Sequence, residues 1–597
     1  MDKREILTRF KDGTLERRHT LALLSAAPAP APVPVPVPPA GKDAVPPAPA
    51  AAARPGPERP APGHAPAPCA VIGVQARMPH TGDLAALWRT ELTGESASHA
   101  ADRDGPDRFD AAALGLTDTQ AAFIGPGERL LLDTARRVLQ SAGYAGVRLD
   151  GLHGPDGQRR CVGVFTALTG AGRPPDTGPH PGSTAPQDTG SAAARLSHLF
   201  DLRGPSRHVD TGPSSFLTAL HLGLAALRAG ECAAALVAAA GPGPGGTGAA
   251  AVLLKPLADA RRCADAVHAV VLADAAAHPG RGPQPGLGER LRRRAVRAAG
   301  IPRAAVGLKE TGQAAGAVGG AAAFLRALLQ LKYATLLPSP GRPEPRAWRP
   351  AASADGAAPP RTALAGVYEP GAEHAVVVLQ EPPPAAPAAP SADDAAAPGL
   401  VLLSAPTPAH LAAAAAQLAD LLAAAGPAGG ARPPGPAAVA RELRLGRAAQ
   451  PCRLALVADR TDRLADTLSA FAAGTTVHGV RTADLRAAPG GPLLLGELAE
   501  TSAYLGALWQ GRHFEQLTRL WLAGADVLAT IPGDDGAPVL ELPAAPPPHT
   551  TATDTGTAAT AHTTGSAGTA TADTAAAAGT AAAGAVRAAG ERREGRP

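Results

Sequence analysis

The sequence predicts an α/β protein, and three observations carry that expectation. Short apolar runs of strand length, CAVIGV (69–74), CVGVFTAL (161–168), ECAAALVAAAG (231–241) and VHAVVLADAAAH (267–278), alternate with longer stretches whose apolar residues recur at helical spacing. The stretch 209–230, VDTGPSSFLTALHLGLAALRAG, runs from β-prone His208 and Val209 through a tight Gly-Pro turn into a helix opened by Ser214 and Ser215 and striped by Leu217, Leu220, Leu224 and Leu227. Beyond 400 the same alternation resumes after a proline-rich interruption. Periodicity by itself reaches no further than alternating strands and helices.

Composition sets the scale. A chain of 597 residues is too long for one compact core, and 64 prolines and 68 glycines against 3% aromatics point to two or three ordered segments separated by disorder. Fifty-six basic residues against 52 acidic ones give a net charge of +4, too balanced to imply nucleic acid or a membrane surface as partner. The run Arg290, Arg292, Arg293, Arg294 and Arg297 reads as the solvated face of a short helix rather than a phosphate patch. Cys69, Cys161, Cys232, Cys263 and Cys452 stand far apart, with no metal-ligand spacing, as small core residues of a reducing compartment. The N-terminus MDKREILTRFKDG lacks the apolar run of a signal peptide, and no window approaches a membrane span, so the expectation is a soluble, cytoplasmic protein without a metal.

In chain order, 1–25 carries Ile6, Leu7, Phe10, Leu15, Leu21, Leu23 and Leu24 on two short amphipathic helices broken at Gly13, which need another surface to pack on. From 26 to 68 an Ala-Pro tract can neither form a helix nor bury a core, and is expected to be an extended linker. Order resumes with CAVIGVQARMP (69–79), a buried strand entering a turn, and then a helix bearing Leu84, Leu87 and Trp88. ERLLLDTARRVLQSAGY (128–144) has a broad apolar stripe through Leu130, Leu131, Leu132, Ala135, Val138 and Leu139. The first large domain is expected over 69–384, a linker over 385–399, and a second α/β domain over 400–547. In the latter, strands at 400–404 and 453–459 flank a helix opened by Thr407-Pro408. The Thr/Ala/Gly tail over 548–597 is low-complexity and expected to be disordered.

Several of these blocks resemble β-ketoacyl synthases, the condensing enzymes of polyketide and fatty-acid synthesis. CAVIGVQARMP is similar to their opening Ile-Ala-Ile-Ile-Gly-Met-x-x-Arg-Phe-Pro, and ERLLLDTARRVLQSAGY to Gln-Arg-Leu-Leu-Leu-x-x-Ala-x-x-Ala-Leu-x-x-Ala-Gly-Tyr. AARLSHLFDLRGPSRHVDT (193–211) resembles Asn-Arg-x-Ser…Leu-x-Gly-Pro-Ser…Val-Asp-Thr, and GTGAAAVLLKPLADA (246–260) resembles Gly-x-Gly-x-x-x-Val-Leu-Lys-Pro-Leu-x-x-Ala. KETGQAAGAVGG, from Lys309, parallels Lys-Ser-Asn-Ile-Gly-His-x-x-x-Ala-Ala-Gly, while 400–547 resembles the linker domain that follows ketosynthases of modular polyketide synthases. The resemblance implies a five-layered αβαβα thiolase fold and dimerisation through edge strands beside the elbow. The partner would be a second copy or an intact ketosynthase, with an acyl carrier protein or other assembly-line subunits as further partners. No cofactor is implied beyond the phosphopantetheine of a partner carrier protein.

The family's chemistry needs a cysteine nucleophile, two histidines and a supporting lysine. Aligned on Asp210, Thr211, Ser214 and Ser215 with the family's Asp-Thr-Ala-Cys-Ser-Ser, the nucleophile position is Pro213, which has no nucleophile and no N–H. The Glu-Ala-His-Gly-Thr-Gly-Thr block is absent, because Ile301–Val306 leads directly into Gly307-Leu308-Lys309. The second histidine aligns with Gln313, and of the four parts only Lys309 is retained. Ser214 is the weak candidate for a replacement nucleophile; the bland alternative is that it caps the helix. Lys309 in turn serves either chemistry or packing. In the strap Leu542-Pro543-Ala544-Ala545-Pro546, the aromatic anchors of the family's Leu-Pro-Thr-Tyr-Pro-Phe are missing. Three functions follow: a condensation-incompetent structural or docking subunit of a polyketide assembly line, a residual acyltransferase or thioesterase acting on carrier-protein substrates, or a decayed gene product.

Overall fold

The computed structural model describes residues 65–79, 81–93, 109–169, 191–243, 246–282, 284–312, 316–339, 343–350, 359–369, 371–384, 398–424, 434–487, 499–527 and 538–547. The helices expected at 1–25, nearly all of the linkers at 26–68 and 385–399, the tail at 548–597, and Gln313 lie outside the described residues.

Among the described residues, eleven strands and six longer helices build the first part. They are β1 (Cys69–Arg77), α1 (Leu84–Thr93), α2 (Pro126–Ser141), β2 (Val162–Leu168), α3 (Ala192–Leu199), β3 (Ser206–Val209), α4 (Ser215–Arg228), β4 (Ala234–Gly243), β5 (Gly246–Pro256), β6 (Ala269–Ala277), α5 (Leu287–Ala298), β7 (Val306–Thr311), α6 (Gly319–Lys332), the two-residue strands β8 (Thr335–Leu336) and β9 (Arg346–Ala347), β10 (Thr362–Val367) and β11 (His374–Gln380). Nine of the strands form one mixed sheet in the order β3-β2-β4-β5-β1-β6-β11-β10-β7. Among the described residues, its two halves are joined where Cys69, Ala70 and Val71 of β1 pair with Val271, Val270 and Ala269 of β6.

Alternation along each strand sorts the side chains into layers. Phe165, Val237, Val252 and Leu254 of the first half share one core with Ala365, Val377 and Leu379 of the second, and α4 and α6 lie within it, Phe216 meeting Phe324 edge to face. The opposite face of the first half, Val164, Leu236 and Leu253, is covered by Leu131 and Leu139 of α2 and Leu196 of α3. On the second half, Val376 and Val378 are covered by Leu287, Leu291 and Val296 of α5. Helix, sheet, helix, sheet, helix is the five-layered αβαβα thiolase-like fold. The arginine run is the outer face of α5: Arg290, Arg293, Arg294 and Arg297 are exposed while the leucines point inward.

Local chemistry explains why the elements start and stop here. Gly125 and Pro126 open α2 with Glu128 in its first turn, where a fixed φ and a negative charge both suit a helix N-terminus. The helix is followed by Gly143 at φ 74°, and a Cβ there would lie 2.5 Å from Glu442 Oε1, so both conformation and close approach require glycine. Lys255, 2% exposed, is held by Asp265 at 2.7 Å and Tyr144 at 2.8 Å, and Tyr144 in turn donates to Asp265 at 2.7 Å. That closed triangle satisfies a buried cation.

The second part contains β12 (Gly399–Ala405), α7 (Pro408–Ala424), α8 (Pro436–Gly446), β13 (Cys452–Ala458), α9 (Thr461–Ala472), β14 (Arg481–Asp484), α10 (Ala499–Gln510) and α11 (Phe514–Leu522). Its antiparallel sheet, β12-β13-β14, packs α7, α8 and α9 on one face and α10 and α11, with the fully buried Trp521, on the other. Thr407 accepts from His410 N at 3.3 Å and so caps α7 as expected. Residues 538–547 then return to the first part as an extended strap. Val539 N donates to Ala264 O at 3.0 Å, and Ala545 N to Gln140 Oε1 at 3.1 Å.

Candidate active-site elbow

Strand β3 delivers the chain to the elbow. Gly212 adopts φ 70°, and Gly212–Ser214 form a single 3₁₀ turn that runs into α4. Pro213 sits inside this turn. Its carbonyl lies against α6: a Cβ added to Gly320 would be 3.3 Å from Pro213 O and 3.0 Å from Leu217 Cγ. The turn is therefore wedged between two buried helices.

Ser214 occupies the last position before α4 but does not cap it. The expected cap is corrected: no side-chain cap bond is made at this helix, and the Ser214 hydroxyl turns back to donate to Thr211 O at 3.0 Å. The 3₁₀ turn extends the helical ladder backward, so that Ser215 N already finds Gly212 O and leaves no need for a capping oxygen. Ser215 Oγ instead donates to Gly212 O at 2.7 Å and accepts from Thr211 N at 2.8 Å. Ser214 is fully buried. Its oxygen also lies 3.0 Å from Thr211 Oγ1, which is followed by Thr218 Oγ1 at 3.1 Å and Glu373 Oε2 at 2.8 Å. This chain of hydroxyls ends on a carboxylate, yet its serine end has no access to solvent.

Neither histidine near the elbow in sequence contacts Ser214. His208 Nδ1 is 3.0 Å from Thr166 Oγ1, and His221 Nδ1 pairs with Asp274, which also holds Arg228 at 2.7 Å. Hydrogen bonding to Asp274 raises the His221 pKa. Burial pushes the Asp274 carboxyl upward, but the His221 hydrogen bond and the Arg228 charge outweigh it and leave its pKa lowered. Lys309 stands exposed on β7, the far edge of the sheet from β3, where its backbone joins the ladder with β10 beside Leu364. The short turn Arg303–Ala305 leads straight into β7.

What the elbow brings together is thus Pro213, Ser214, Thr211, Thr218 and Glu373, walled by Gly320. Thr218 follows Ser214 by one helical turn and could have been placed beside it from spacing alone; Glu373 arrives from the loop before β11 and carried no such signal. Buried thiols offer no substitute: burial pushes Cys69 up to about 11 and Cys232 up to about 12. Among the described residues, no group of histidine, cysteine and carboxylate side chains is arranged to hold a metal ion.

Comparison with known proteins gives the same frame. Residues 67–242 match the family described as β-ketoacyl synthase, N-terminal domain, and 402–475 match the RhiE-like KS-MAT linker domain. The chain is similar to polyketide synthase ThaG of Burkholderia thailandensis, 35% identical over 268 residues that make up 36% of this chain and 5% of that one. It is also similar to the spectinabilin polyketide synthase system protein NorC of Streptomyces orinoci, 32% identical over 28% of this chain and 8% of that one. These relatives are many times longer than the stretch they share with it. Among solved structures, an oxazolomycin ketosynthase domain from Streptomyces albus JA3453 superposes with a TM-score of 0.60 at 26% identity, covering 80% of this chain and 97% of that one. The ketosynthase from module 6 of the bacillaene synthase of Bacillus subtilis 168 superposes with a TM-score of 0.62 at 19% identity, covering 80% and 98%. Among the described residues, no helix is long and apolar enough to cross a membrane.

Proposed function

We propose that this chain, which resembles the ketosynthase domain and following linker of modular polyketide synthases, is condensation-incompetent and acts as a structural or docking subunit of a polyketide assembly line. The observation that carries the reading is Pro213, a side chain without a nucleophile, built into the helix-opening turn where the family holds its cysteine. The burial and local bonding of Ser214 support it further, because they close that hydroxyl to an acyl thioester. A residual acyltransferase is disfavoured for the same reason. Carrier proteins and intact ketosynthases are then partners rather than substrates, in the cytoplasm, and no cofactor of its own is required.

The test is acyl transfer. Incubated with an acyl-carrier thioester, the full chain is expected to show no covalent acyl group on 209–230 by mass spectrometry; an adduct mapped there overturns the reading. The docking half is tested at the sheet edge. Pro205 O accepts from Val164 N at 2.7 Å, so alternation turns the backbone groups of Ser206 and His208 outward from β3. Val209 is unsuited to the experiment because it is buried in the protein's own core. Ser206→Pro removes an outward N–H at a position where an edge strand tolerates proline, and it is expected to weaken self-association or ketosynthase binding in sedimentation without lowering the melting temperature. A wild-type chain that stays monomeric and captures no ketosynthase removes the docking role.

A further inference from the structure

Between the two sheet-containing parts lies a cavity of about 350 Å³, far from the elbow in the chain and built from a different set of helices. Leu139, Leu149 and Phe200 face it from the first part, Leu403, Leu418 and Leu443 from the second. Ala545 and Pro546 of the strap line it as well, and the small side chain of Ala545 leaves room where a bulkier one would fill the gap. A volume of this size with mostly apolar walls falls within the range of small-molecule sites.

One buried guanidinium nitrogen on the wall has no acceptor among the described residues. Arg447 donates through Nη2 to Leu542 O at 3.3 Å and Pro543 O at 2.7 Å, while its Nη1 is buried with no acceptor among the described residues. The nearby carboxylates are engaged elsewhere: Glu442 with Arg148 at 2.6 and 2.9 Å, Asp133 with Arg136 and Arg137 at 2.8 and 2.7 Å, and Asp201 with Arg203 at 3.0 Å. Arg136, also on the wall, has its hydrogen bonds met by Asp133, a carboxylate it shares with Arg77 and Arg137, by Gln140 and by Ala545 O. Burial pushes Arg447 down to about 10, so the guanidinium still carries its charge at neutral pH. A buried donor left unpaired is costly, and a charged one more so.

We propose that this cavity binds a small aliphatic monocarboxylate, with its head group on Arg447 Nη1 and its chain among the leucines. One buried guanidinium nitrogen without an acceptor among the described residues matches one carboxylate oxygen, whereas a phosphate ester would call for several such donors. The proposal is independent of whether the elbow retains chemistry.

Calorimetric titration of the full chain with octanoate and with octanol tests it. Octanoate is expected to bind saturably at one equivalent and octanol at least about tenfold more weakly, the difference a charge-assisted hydrogen bond makes. Arg447→Gln should bring octanoate down to the level of octanol, while Arg447→Lys keeps its affinity within about threefold of wild type. Ala545→Phe and, from the opposite wall, Leu418→Phe should each abolish binding of both compounds, with thermal melts establishing that the variants are folded. Absence of octanoate binding, equal affinity for the acid and the alcohol, or binding that survives both filling substitutions in folded protein would overturn the proposal.

Discussion

At the scale of single residues, the elbow is decided by one proline and one hydroxyl. If Ser214 were a nucleophile, Ser214→Ala would abolish any thioester consumption by the chain. Because its Oγ is buried and donates to Thr211 O, the expected result is an unchanged background rate together with a loss of stability of about 1 kcal/mol for the missing hydrogen bond. Thioester hydrolysis and a denaturant melt on the same sample separate the two. Pro213 is singled out in the sequence by the resemblance of Asp210, Thr211, Ser214 and Ser215 to the family's motif. The direction of the Ser214 hydroxyl was not legible there, because a serine before a helix satisfies either a forward N–H or a backward carbonyl, and the 3₁₀ turn that chooses between them is set by Gly212 at φ 70°.

At the scale of elements, the central helix is fastened to the sheet by charge as well as by packing. His221 on α4 pairs with Asp274 on β6, Arg228 shares the same carboxylate, and Glu373 adds negative charge nearby. The folded pKa of His221 lies above its ordinary 6.5, so its contribution to stability is fully present below pH 6.5 and is lost as pH rises through the raised folded value. Melting temperatures measured across that window are expected to fall with rising pH in the wild type and to fall less in His221→Gln; parallel profiles would remove the pair from the account. The strands and α4 could be read from apolar runs and leucine spacing, yet this pair could not. It joins residues 53 positions apart, through a β6 register that only the folded sheet fixes. The same limit hid the joint between β1 and β6: nothing local in Cys69, Ala70 and Val71 says which strand completes their ladder.

At the scale of the whole molecule, the two parts are held by contacts that neither sequence half announces. Arg148, just after α2, makes two hydrogen bonds to Glu442 of α8, at 2.6 and 2.9 Å, and Glu442 also accepts from Leu540 N of the strap at 3.2 Å. Beside it, Ala145 N donates to Gly446 O at 3.2 Å, and His410 Nε2 lies 2.6 Å from Asp110 across the crevice. The strap itself was foreseeable from Leu542 and Pro543, but not what holds it: backbone groups and arginines do the anchoring, since Ala544 and Ala545 offer no aromatic ring. Glu442 is the hub of this arrangement and is 3% exposed. Removing its guanidinium with Arg148→Ala would strand a buried carboxylate, which costs on the order of 3–5 kcal/mol when one partner of a buried pair is deleted. That loss falls on the junction and on the strap together, so calorimetry is expected to show one transition for the wild type and two for the variant, the 400–547 part melting first. Glu442→Gln, which keeps the strap hydrogen bond and removes the charge, should cost less than Arg148→Ala. If Arg148→Ala instead melts in one transition within 1 °C of wild type, the Glu442 hub is not what couples the two parts.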